Sequence, residues 1–552
     1  MEILKKIWKK ALIIAILLII VAGVLVISPN FKKDPNEGKL NFIINNNNVT
    51  SKMKHDVFIA DNGVIYISKD DMSNYFDSQI YYDKENEQLI TSSDTKVAVL
   101  SLTDKTMKIN GSQVKMLGTV IKKDGDLYIP ISELEKVYNI EVKNINNSVV
   151  TVDSLDRQLV KADTTKKVSV KYNTKLISKT VDKLQAGETV VVIQEKDGFT
   201  RIRTQNGKIG YVKTDILTNK VQVREKIEVK PQIEQKINLV WDYYSEYVSA
   251  PDRSGTNIPG VNVVSPSFFS LKSGDTVDIN DNTKRGGKEY IRWAKQNGYK
   301  VWAIFSNNSM KETTSKILNN YLQREEMIEK IVDLALQYDL DGINVDFEYI
   351  NMSDKDVFSR FIIELAPRLR EHGIVTSVDV TAPDGSENWS LCYDRDLLAK
   401  EADYLVFMAY DQYGKSSTSA GTTAGADWVE ANIKKFLKQE DVPKEKIILG
   451  IPLYTRLWRT DANGKLTSSV INMNQIDSKI PNDAQRVWDE EKKQYYVEYE
   501  SEKYKYQMWI EDEKSIKEKL NLIPKYELAG GAFWAKDRET DNIWNIAQEV
   551  LN

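Results

Sequence analysis

The sequence predicts a multidomain chain whose C-terminal part, residues 236–552, is a (β/α)8 TIM barrel preceded by small β-rich domains. The chain has 552 residues, which is too many for one ordinary domain. Apolar, strand-like runs alternate with helical periods in the C-terminal part, and this alternation indicates βα units. Eight such runs complete a barrel. They are Ile237–Asp242, Val261–Leu271, Lys300–Ser306, Gly342–Phe347, Ile374–Val380, Tyr404–Tyr410, Ile447–Ile451 and Gly530–Trp534.

The N-terminus predicts a transmembrane signal-anchor helix at residues 11–28. Ala11–Ile27 contains no polar side chain, and a helix of that length approaches the thickness of the hydrocarbon core of a bilayer. The basic segment 1–10, rich in lysine, precedes it and by the positive-inside rule stays in the cytoplasm. We therefore expect a single-pass protein of the cell membrane with the bulk of the chain extracellular. The alternative is a protein secreted after cleavage of a signal peptide.

Residues 38–155 are predicted to form an α+β domain. Two similar segments, each with a glycine turn, a short apolar strand and a helix, begin at Gly63 and Gly125. With the hairpin at 107–111, this stretch resembles the copper amine oxidase N-terminal-like domain of secreted bacterial proteins. Copper oxidase chemistry needs clustered histidines, and His55 is the only histidine here. We therefore expect a spacer or a wall-contact domain.

Residues 165–217 are predicted to form a compact all-β barrel, because short Val- and Ile-rich runs are separated by Asp-Gly and Asn-Gly turns. The pattern resembles a bacterial-type Src-homology-3 domain. The resemblance implies contact with the cell wall, for which Tyr172, Phe199 and Tyr211 are candidates, although partly buried core residues would give the same pattern. The charged segment 218–235 is predicted to be a linker.

The barrel is predicted to carry one insertion. The Tyr- and Trp-rich stretch at about 456–509 is too long for an ordinary loop. We expect a small α+β subdomain between the seventh strand and its helix.

The composition excludes several classes of function. The 76 basic and 80 acidic residues give a net charge of −4, which is not the balance of a nucleic-acid-binding protein. Two histidines and one cysteine can form neither an intrachain disulfide nor a zinc site of several His or Cys ligands. We therefore predict no metal, no cofactor and no nucleic-acid partner.

The candidate chemistry lies on the fourth predicted strand, which reads Asp341-Gly-Ile-Asn-Val-Asp-Phe-Glu348. Alternation along a strand puts Asn344, Asp346 and Glu348 on one face, which in a barrel points into the lumen near the C-terminal mouth. Two crowded carboxylates do not both ionise cheaply, so one should have a raised pKa and act as a general acid. The alternatives are solvated edge carboxylates, which the apolar neighbours disfavour, or a metal site, for which transition-metal ligands are lacking.

This motif resembles the Asp-x-x-Asp-x-Asp-x-Glu signature of glycoside hydrolase family 18, the chitinase-type family. Three later segments match the family's strands six, seven and eight in the right order: Phe407–Asp411, Gly450–Trp458 and Gly531–Trp534. The resemblance covers residues 236–552. It implies a β-N-acetylglucosaminidase or chitinase that acts on a polysaccharide.

The resemblance implies a role for each matched residue. Glu348 would protonate the glycosidic oxygen, and the nucleophile would be the acetamido oxygen of the substrate itself. Asp346 would orient the acetamido group, and Tyr410 would hydrogen-bond its carbonyl. The supporting or substrate-binding positions would be Asp341, Asn344, Asp411, Tyr454, Arg456 and Trp534.

Two departures from the family pattern refine the expectation. Asn344 stands where many members have an aspartate; we expect its amide to hydrogen-bond Asp346, which would shift the pH profile without loss of activity. The segment Ile304–Asn307 lacks the Ser-x-Gly-Gly of typical chitinases and looks closer to the bacterial branch of spore-cortex and peptidoglycan N-acetylglucosaminidases. The first hypothesis is therefore a membrane-anchored enzyme acting on peptidoglycan. The alternatives are a chitinase and a catalytically silent, lectin-like wall protein.

Overall fold

The computed structural model describes residues 14, 16, 36 and 38–551, except 176, 225–232 and 246. The chain divides into two compact units, residues 1–230 and 231–552. The predicted transmembrane segment 11–28 lies, apart from two isolated positions, outside the described residues. Among the helices that the structure does describe, none combines the length and apolarity that crossing a bilayer requires.

In the first unit, the two repeated segments pair with each other. Strand Ile65–Ser68 leads into helix Lys69–Tyr75, and strand Asp126–Pro130 leads through a 3-10 turn into helix Glu135–Tyr138. The two strands are antiparallel neighbours, with Ile67 opposite Ile129. Because apolar residues of both strands and both helices share one hydrophobic core, the predicted α+β domain is a single packed body.

Three sheets make up this domain. A mixed sheet contains Ile140–Ile145, Val149–Ser154, Asn41–Ile44 and Asn47–Asn48. An antiparallel sheet contains Ile121–Lys123, Asp126–Pro130, Ile65–Ser68 and Phe58–Ile59. A five-stranded meander contains Tyr81–Asp83, Gln88–Ser92, Val97–Ser101, Thr106–Ile109 and Ser112–Lys115.

The second part of the first unit is all-β, as predicted, but larger than predicted. Its seven-stranded antiparallel sheet runs in the order Thr180–Leu184, Val168–Lys171, Ile209–Lys213, Phe199–Arg203, Thr189–Lys196, Leu159–Thr164 and Leu217–Arg224. The prediction of a linker at 218–235 is wrong at its start, because Leu217–Arg224 pairs with Leu159–Thr164 as an edge strand. Most of this edge strand is exposed, so its charged sequence resembles a linker.

The second unit contains the predicted barrel. Eight parallel strands follow one another in chain order, and the eighth pairs with the first. They are β1 (Ile237–Asp242), β2 (Val263–Pro266), β3 (Lys300–Ser306), β4 (Gly342–Asp346), β5 (Val375–Val380), β6 (Tyr404–Met408), β7 (Ile447–Pro452) and β8 (Gly530–Trp534). The second predicted run is interrupted after Pro266, because Phe269–Leu271 forms a separate strand between β3 and Ile279–Asp281.

Helices surround the barrel. They are Gly287–Gln296, Lys311–Asn319, Tyr321–Gln337, Lys355–Glu371, Arg395–Glu401, Ala426–Lys438, Glu513–Leu520, Leu522–Tyr526 and Ile543–Leu551. Phe347, directly after β4, is buried between two helical rings, Phe358 and Phe361, at centroid distances of 5.9 and 5.6 Å. This packing fixes the residue that separates Asp346 from Glu348, and it thereby fixes the direction of both carboxylates.

The predicted insertion follows β7. The α+β prediction for it is wrong, because its helical part is only the 3-10 turn Met473–Ser478. It is a five-stranded antiparallel sheet in the order Leu466–Asn472, Tyr454–Thr460, Tyr504–Ile510, Gln494–Ser501 and Arg486–Asp489. Val497 and Met508 from one face join the main hydrophobic core. Arg456 and Trp458 share the other face, where the Trp458 indole nitrogen donates to the carbonyl of Gly421 at 2.7 Å. This face therefore packs against the loop that follows β6.

Candidate active site

Strand β4 and the two residues that follow it direct three polar side chains into the barrel, as the alternation predicts. Asn344 is fully buried, and Asp346 and Glu348 are half-buried. The residues between them, Val345 and Phe347, are fully buried in the outer apolar layer. A strand that is polar on its lumen face and apolar on its helix face thus brings both carboxylates to the C-terminal mouth.

The backbone at Glu348 is clamped by a residue to which the sequence analysis assigned no role. Asn307, fully buried just after β3, accepts from the Glu348 N–H at 3.0 Å and donates to the Glu348 carbonyl at 2.9 Å. The next residue, Tyr349, has a φ of 54°, which is uncommon for an aromatic residue. The available signal was the pair Asn307-Asn308 at the mouth end of β3.

The two carboxyl groups differ in acidity. Burial, assisted by the charges of Asp346 and Asp411, raises the pKa of Glu348 to about 8, whereas burial raises the pKa of Asp346 to about 6. Near neutral pH, Glu348 therefore retains its proton while Asp346 is mostly ionised. This order provides a proton donor beside an anionic side chain, which is the combination that the predicted roles require.

The expectation that Asn344 hydrogen-bonds Asp346 is wrong. Its amide nitrogen donates to a carboxylate oxygen of Asp379 at 2.7 Å and to the hydroxyl of Ser377 at 3.0 Å. Its carbonyl accepts from the Trp241 indole at 2.8 Å. The reason is that β1 and β5 also direct side chains into the lumen at this level, and these neighbours satisfy the amide.

Asp379 is thus a site residue that the sequence analysis missed. It lies on β5 and is almost fully buried. Burial and the charge of Asp346 raise its pKa well above the usual range, because both disfavour the ionised form. The available signal was a carboxylate within the apolar run Val378-Asp379-Val380, which an inward-facing position explains.

A second cluster lies at the ends of β6 and β7. Burial raises the pKa of Tyr410 well above its usual value, so its hydroxyl keeps the proton that it would donate. Asp411 accepts from the Tyr454 hydroxyl at 2.9 Å and from the Arg456 guanidinium at 3.4 Å. Tyr454 and Arg456 therefore hold Asp411, whose negative charge contributes to the raised pKa of Glu348.

The remaining predicted residues lie at opposite ends of the barrel. Trp534, at the end of β8, is half-buried and has Trp241 and Tyr243 at ring distances of 5.7 and 5.5 Å. Asp341 lies instead at the start of β4, where it accepts from the Lys300 ammonium group at 2.8 Å and from a backbone N–H of β3 at 3.0 Å. Asp341 therefore links β3 to β4 and lies apart from the mouth.

Two family models match the chain. That of glycosyl hydrolases family 18 matches residues 239–539. That of the copper amine oxidase N-terminal domain matches residues 43–153. The first match contains every strand of the barrel apart from two residues of β1, and the second corresponds to the α+β domain.

Curated proteins match part of this chain. An uncharacterized glycosylase of Bacillus subtilis, YvbX, is 26% identical over 300 residues, which are 52% of this chain and 84% of that protein. A putative sporulation-specific glycosylase, YdhD, is 29% identical over 40% of this chain. A cortical fragment-lytic enzyme is 24% identical over 43% of this chain. Both of the latter are from the same species, and the match spans only 53% and 56% of their lengths.

Solved structures share the fold. A chitinase from Chromobacterium violaceum aligns with a TM-score of 0.51 at 23% identity, covering 57% of this chain and 99% of that chain. The C-terminal domain of a putative chitinase from Desulfitobacterium hafniense aligns with a TM-score of 0.51 at 23% identity, covering 58% and 100%.

Proposed function

Because this chain belongs to glycosyl hydrolase family 18 and is a glycosidase of the chitinase or N-acetylglucosaminidase type, we propose that it cleaves β-1,4 bonds beside N-acetylglucosamine in peptidoglycan. One observation carries the proposal for the chemistry. Glu348, whose pKa is raised to about 8 and whose backbone is clamped by Asn307, lies two residues from Asp346, whose pKa is about 6, at the mouth of the barrel.

The proposed reaction needs no protein nucleophile. The acetamido oxygen of the substrate attacks the anomeric carbon while Glu348 gives its proton to the leaving oxygen, so that the glycosidic bond breaks and an oxazolinium ion forms. Asp346 accepts from the acetamido N–H and stabilises the positive charge, and Tyr410 donates to the acetamido oxygen. The Glu348 carboxylate then removes a proton from water, which opens the ring with overall retention.

The choice of peptidoglycan over chitin rests on the relatives. Two are named as a putative sporulation-specific glycosylase and a cortical fragment-lytic enzyme, both from a bacterium. The acetamido mechanism itself does not decide between the polymers, because both supply the group. Relatives named as chitinases support the alternative that the substrate is chitin.

Product analysis tests the substrate. The full chain is incubated with purified peptidoglycan and, separately, with chitin oligomers, and the products are identified by mass spectrometry, with the Glu348→Gln variant as the inactive control. We expect peptidoglycan fragments that end in a reducing N-acetylglucosamine. Cleavage of chitin oligomers alone would establish the chitinase alternative. Binding of both polymers without products would establish the lectin-like alternative.

We further propose that a groove in the first unit binds wall glycan. The rings of Tyr172 and Tyr211 can stack on sugars. The asparagine amides of the groove can hydrogen-bond sugar hydroxyls, and its arginine and lysine side chains can pair with acidic groups of the wall. Tyr172 is 62% exposed, whereas Phe199, the third predicted aromatic, lies outside the groove. The polar and aromatic lining includes Asn41, Asn47, Asn48, Tyr172, Arg201, Lys208 and Tyr211. The assignment of this region as Src-homology-3-like stays a prediction.

Sedimentation with insoluble peptidoglycan tests the groove. The full-length Glu348→Gln variant binds without digesting the polymer, and adding Tyr172→Ala should weaken binding several-fold, because one stacked ring contributes on the order of 1 kcal/mol. Tyr81→Ala, at an exposed tyrosine of the meander, is the matched control. Equal binding by both variants would exclude the groove.

We also propose that the predicted helix at residues 11–28 anchors the protein in the cell membrane. The protein should then sediment with membranes, need detergent for release and retain its N-terminal residues. Removal of residues 1–28 should give a soluble protein with unchanged specific activity on small substrates. N-terminal sequencing that begins beyond Gly23 would show instead that a signal peptide is cleaved.

A further inference from the structure

We propose that Asp379 replaces the carboxylate that many family members have at the position of Asn344: as a neutral acid, it donates a hydrogen bond to Asp346 and holds that side chain in its ionised state. Asp379 is then a positioning residue that acts through Asp346. The inference rests on the proposed function of the site and assigns the role of the missing aspartate to a different strand.

The strand register places the two aspartates side by side. On β4 and β5, Val345 pairs with Val378, so the next residues, Asp346 and Asp379, are neighbours across the two parallel strands. Paired strands lie about 4.8 Å apart, and alternate residues face the same side. Because Asn344 and Asp379 are hydrogen-bonded inside the barrel, Asp346 and Asp379 share the lumen face.

Each of the two aspartates has an oxygen available for a hydrogen bond between them. Among the described residues, the Oδ1 atom of Asp346 is buried and has no hydrogen-bond partner, an arrangement that is costly for a carboxylate. The Oδ1 atom of Asp379 already accepts from Asn344. The proton of a neutral Asp379 therefore belongs on Oδ2, from which it can be donated to Asp346.

The surrounding charges keep Asp379 neutral. The titratable groups that face it are Asp346 at the end of β4, Glu348 two residues after that strand and Tyr410 two residues after β6. The charge of Asp346 disfavours a further negative charge beside it, and burial does so more strongly. An O–H donor beside an anion stabilises that anion. Asp379 should therefore lower the pKa of Asp346 relative to the same site without a donor.

Variants of similar volume separate this role from simple packing. Asp379→Asn keeps a donor toward Asp346 and an acceptor for Asn344, whereas Asp379→Leu removes both. We expect Asp379→Leu to lower kcat at least about tenfold with a much smaller change in KM, because the effect appears once the acetamido group must be oriented. The acidic limb of the pH profile should move to higher pH by about one unit, since Asp346 loses a stabilising donor. Asp379→Asn should restore most of both quantities.

A second variant moves the carboxyl group back to β4. Adding Asn344→Asp to Asp379→Leu places an acid two residues before Asp346 on the same strand. We expect this double variant to recover most of the lost kcat and to return the acidic limb of the pH profile to the position that it has in the parent. Thr376→Val, a buried position on β5 that is adjacent to a lumen position and outside the site, is the control and should leave both unchanged.

The readout includes binding of a thiazoline mimic of the oxazolinium ion across pH, which reports the ionisation of Asp346 independently of turnover. The inference would be overturned if Asp379→Leu had the kcat of the parent and the same pH dependence of binding. It would also be overturned if adding Asn344→Asp to Asp379→Leu did not recover kcat. Either result would leave the proposed function intact. If Asp379→Leu does not fold, the double variant Asn344→Asp/Asp379→Asn replaces it. The acidic limb of its pH profile must lie at the same pH as that of the parent, and a displaced limb would overturn the inference. A parent protein that neither turns over acetamido sugars nor binds the mimic would overturn both proposals.

Discussion

The kcat of the Glu348→Gln variant is expected to be about 10²–10⁴-fold lower than that of the parent, because general acid catalysis usually contributes a factor of this size. The side chain keeps its size, and the clamp from Asn307 is unaffected because it engages only backbone atoms of residue 348. Only the transferable proton is removed. Substrate binding should therefore stay close to that of the parent, which gives a loss in kcat with little change in Kd.

The pH dependence provides a second measurement for the same variant. In the parent, the rate should fall as the pH rises through the pKa of Glu348, about 8, because the ionised side chain no longer donates a proton. The residual rate of Glu348→Gln should lack this alkaline limb. Glu312→Gln, at an exposed glutamate on a barrel helix, is the matched control. Turnover of Glu348→Gln at the parent rate would show that another group is the acid.

Replacing the 2-acetamido group of the substrate by a 2-hydroxyl is expected to make it nearly inert, because the nucleophile is then missing. An internal nucleophile supplies a large effective concentration, on the order of 10⁵ M or more when it is well oriented. Asp346→Asn should also reduce kcat strongly, since the acetamido group loses the carboxylate that orients it. A thiazoline mimic should inhibit the parent strongly, because the site is complementary to the intermediate.

The stereochemistry and the absence of a covalent intermediate are the decisive observations for this mechanism. The first product should have the β configuration, since two inversions occur at the anomeric carbon. Trapping a glycosyl ester on Asp346 or on another carboxylate with a 2-fluoro sugar would contradict the mechanism. An inverted anomer in proton NMR spectra taken in the first minutes would do the same, and neither result would alter the barrel assignment.

The barrel strands and the lumen face of β4 could be predicted because both depend on short-range patterns. Apolar runs define β1, β3 and β8 with the bounds that the structure has, and a period of two determines that Asn344, Asp346 and Glu348 share a side. Asp379 and Asn307 could not be assigned in this way. Their bonds reach residues 35 and 41 positions away in the chain, and they depend on the register between neighbouring strands.

The same limit explains the error at Asn344. The sequence shows two lumen-facing neighbours on one strand and therefore suggests that they bond to each other. In the closed barrel, Ser377 and Asp379 on β5 offer acceptors at better positions for the amide. The edge strand Leu217–Arg224 was missed for a different reason: it is exposed over most of its length, so it lacks the apolar alternation from which strands are predicted.

The carboxyl groups of Asp346, Glu348 and Asp379 in the barrel have a consequence for the free energy of unfolding. Each has a higher pKa in the folded chain than in the unfolded chain, so the folded state binds more protons once the pH exceeds about 4. Stability from these groups is fully present below that pH. It is lost as the pH rises through about 6 for Asp346 and about 8 for Glu348. At neutral pH, folding is opposed because carboxyl groups that ionise freely in the unfolded chain are held wholly or partly protonated in the folded chain. The inactive Glu348→Gln protein lacks this cost at residue 348 and should melt at a temperature at least as high as the parent. Resistance to heat and catalytic competence are thus opposing demands on the same few side chains.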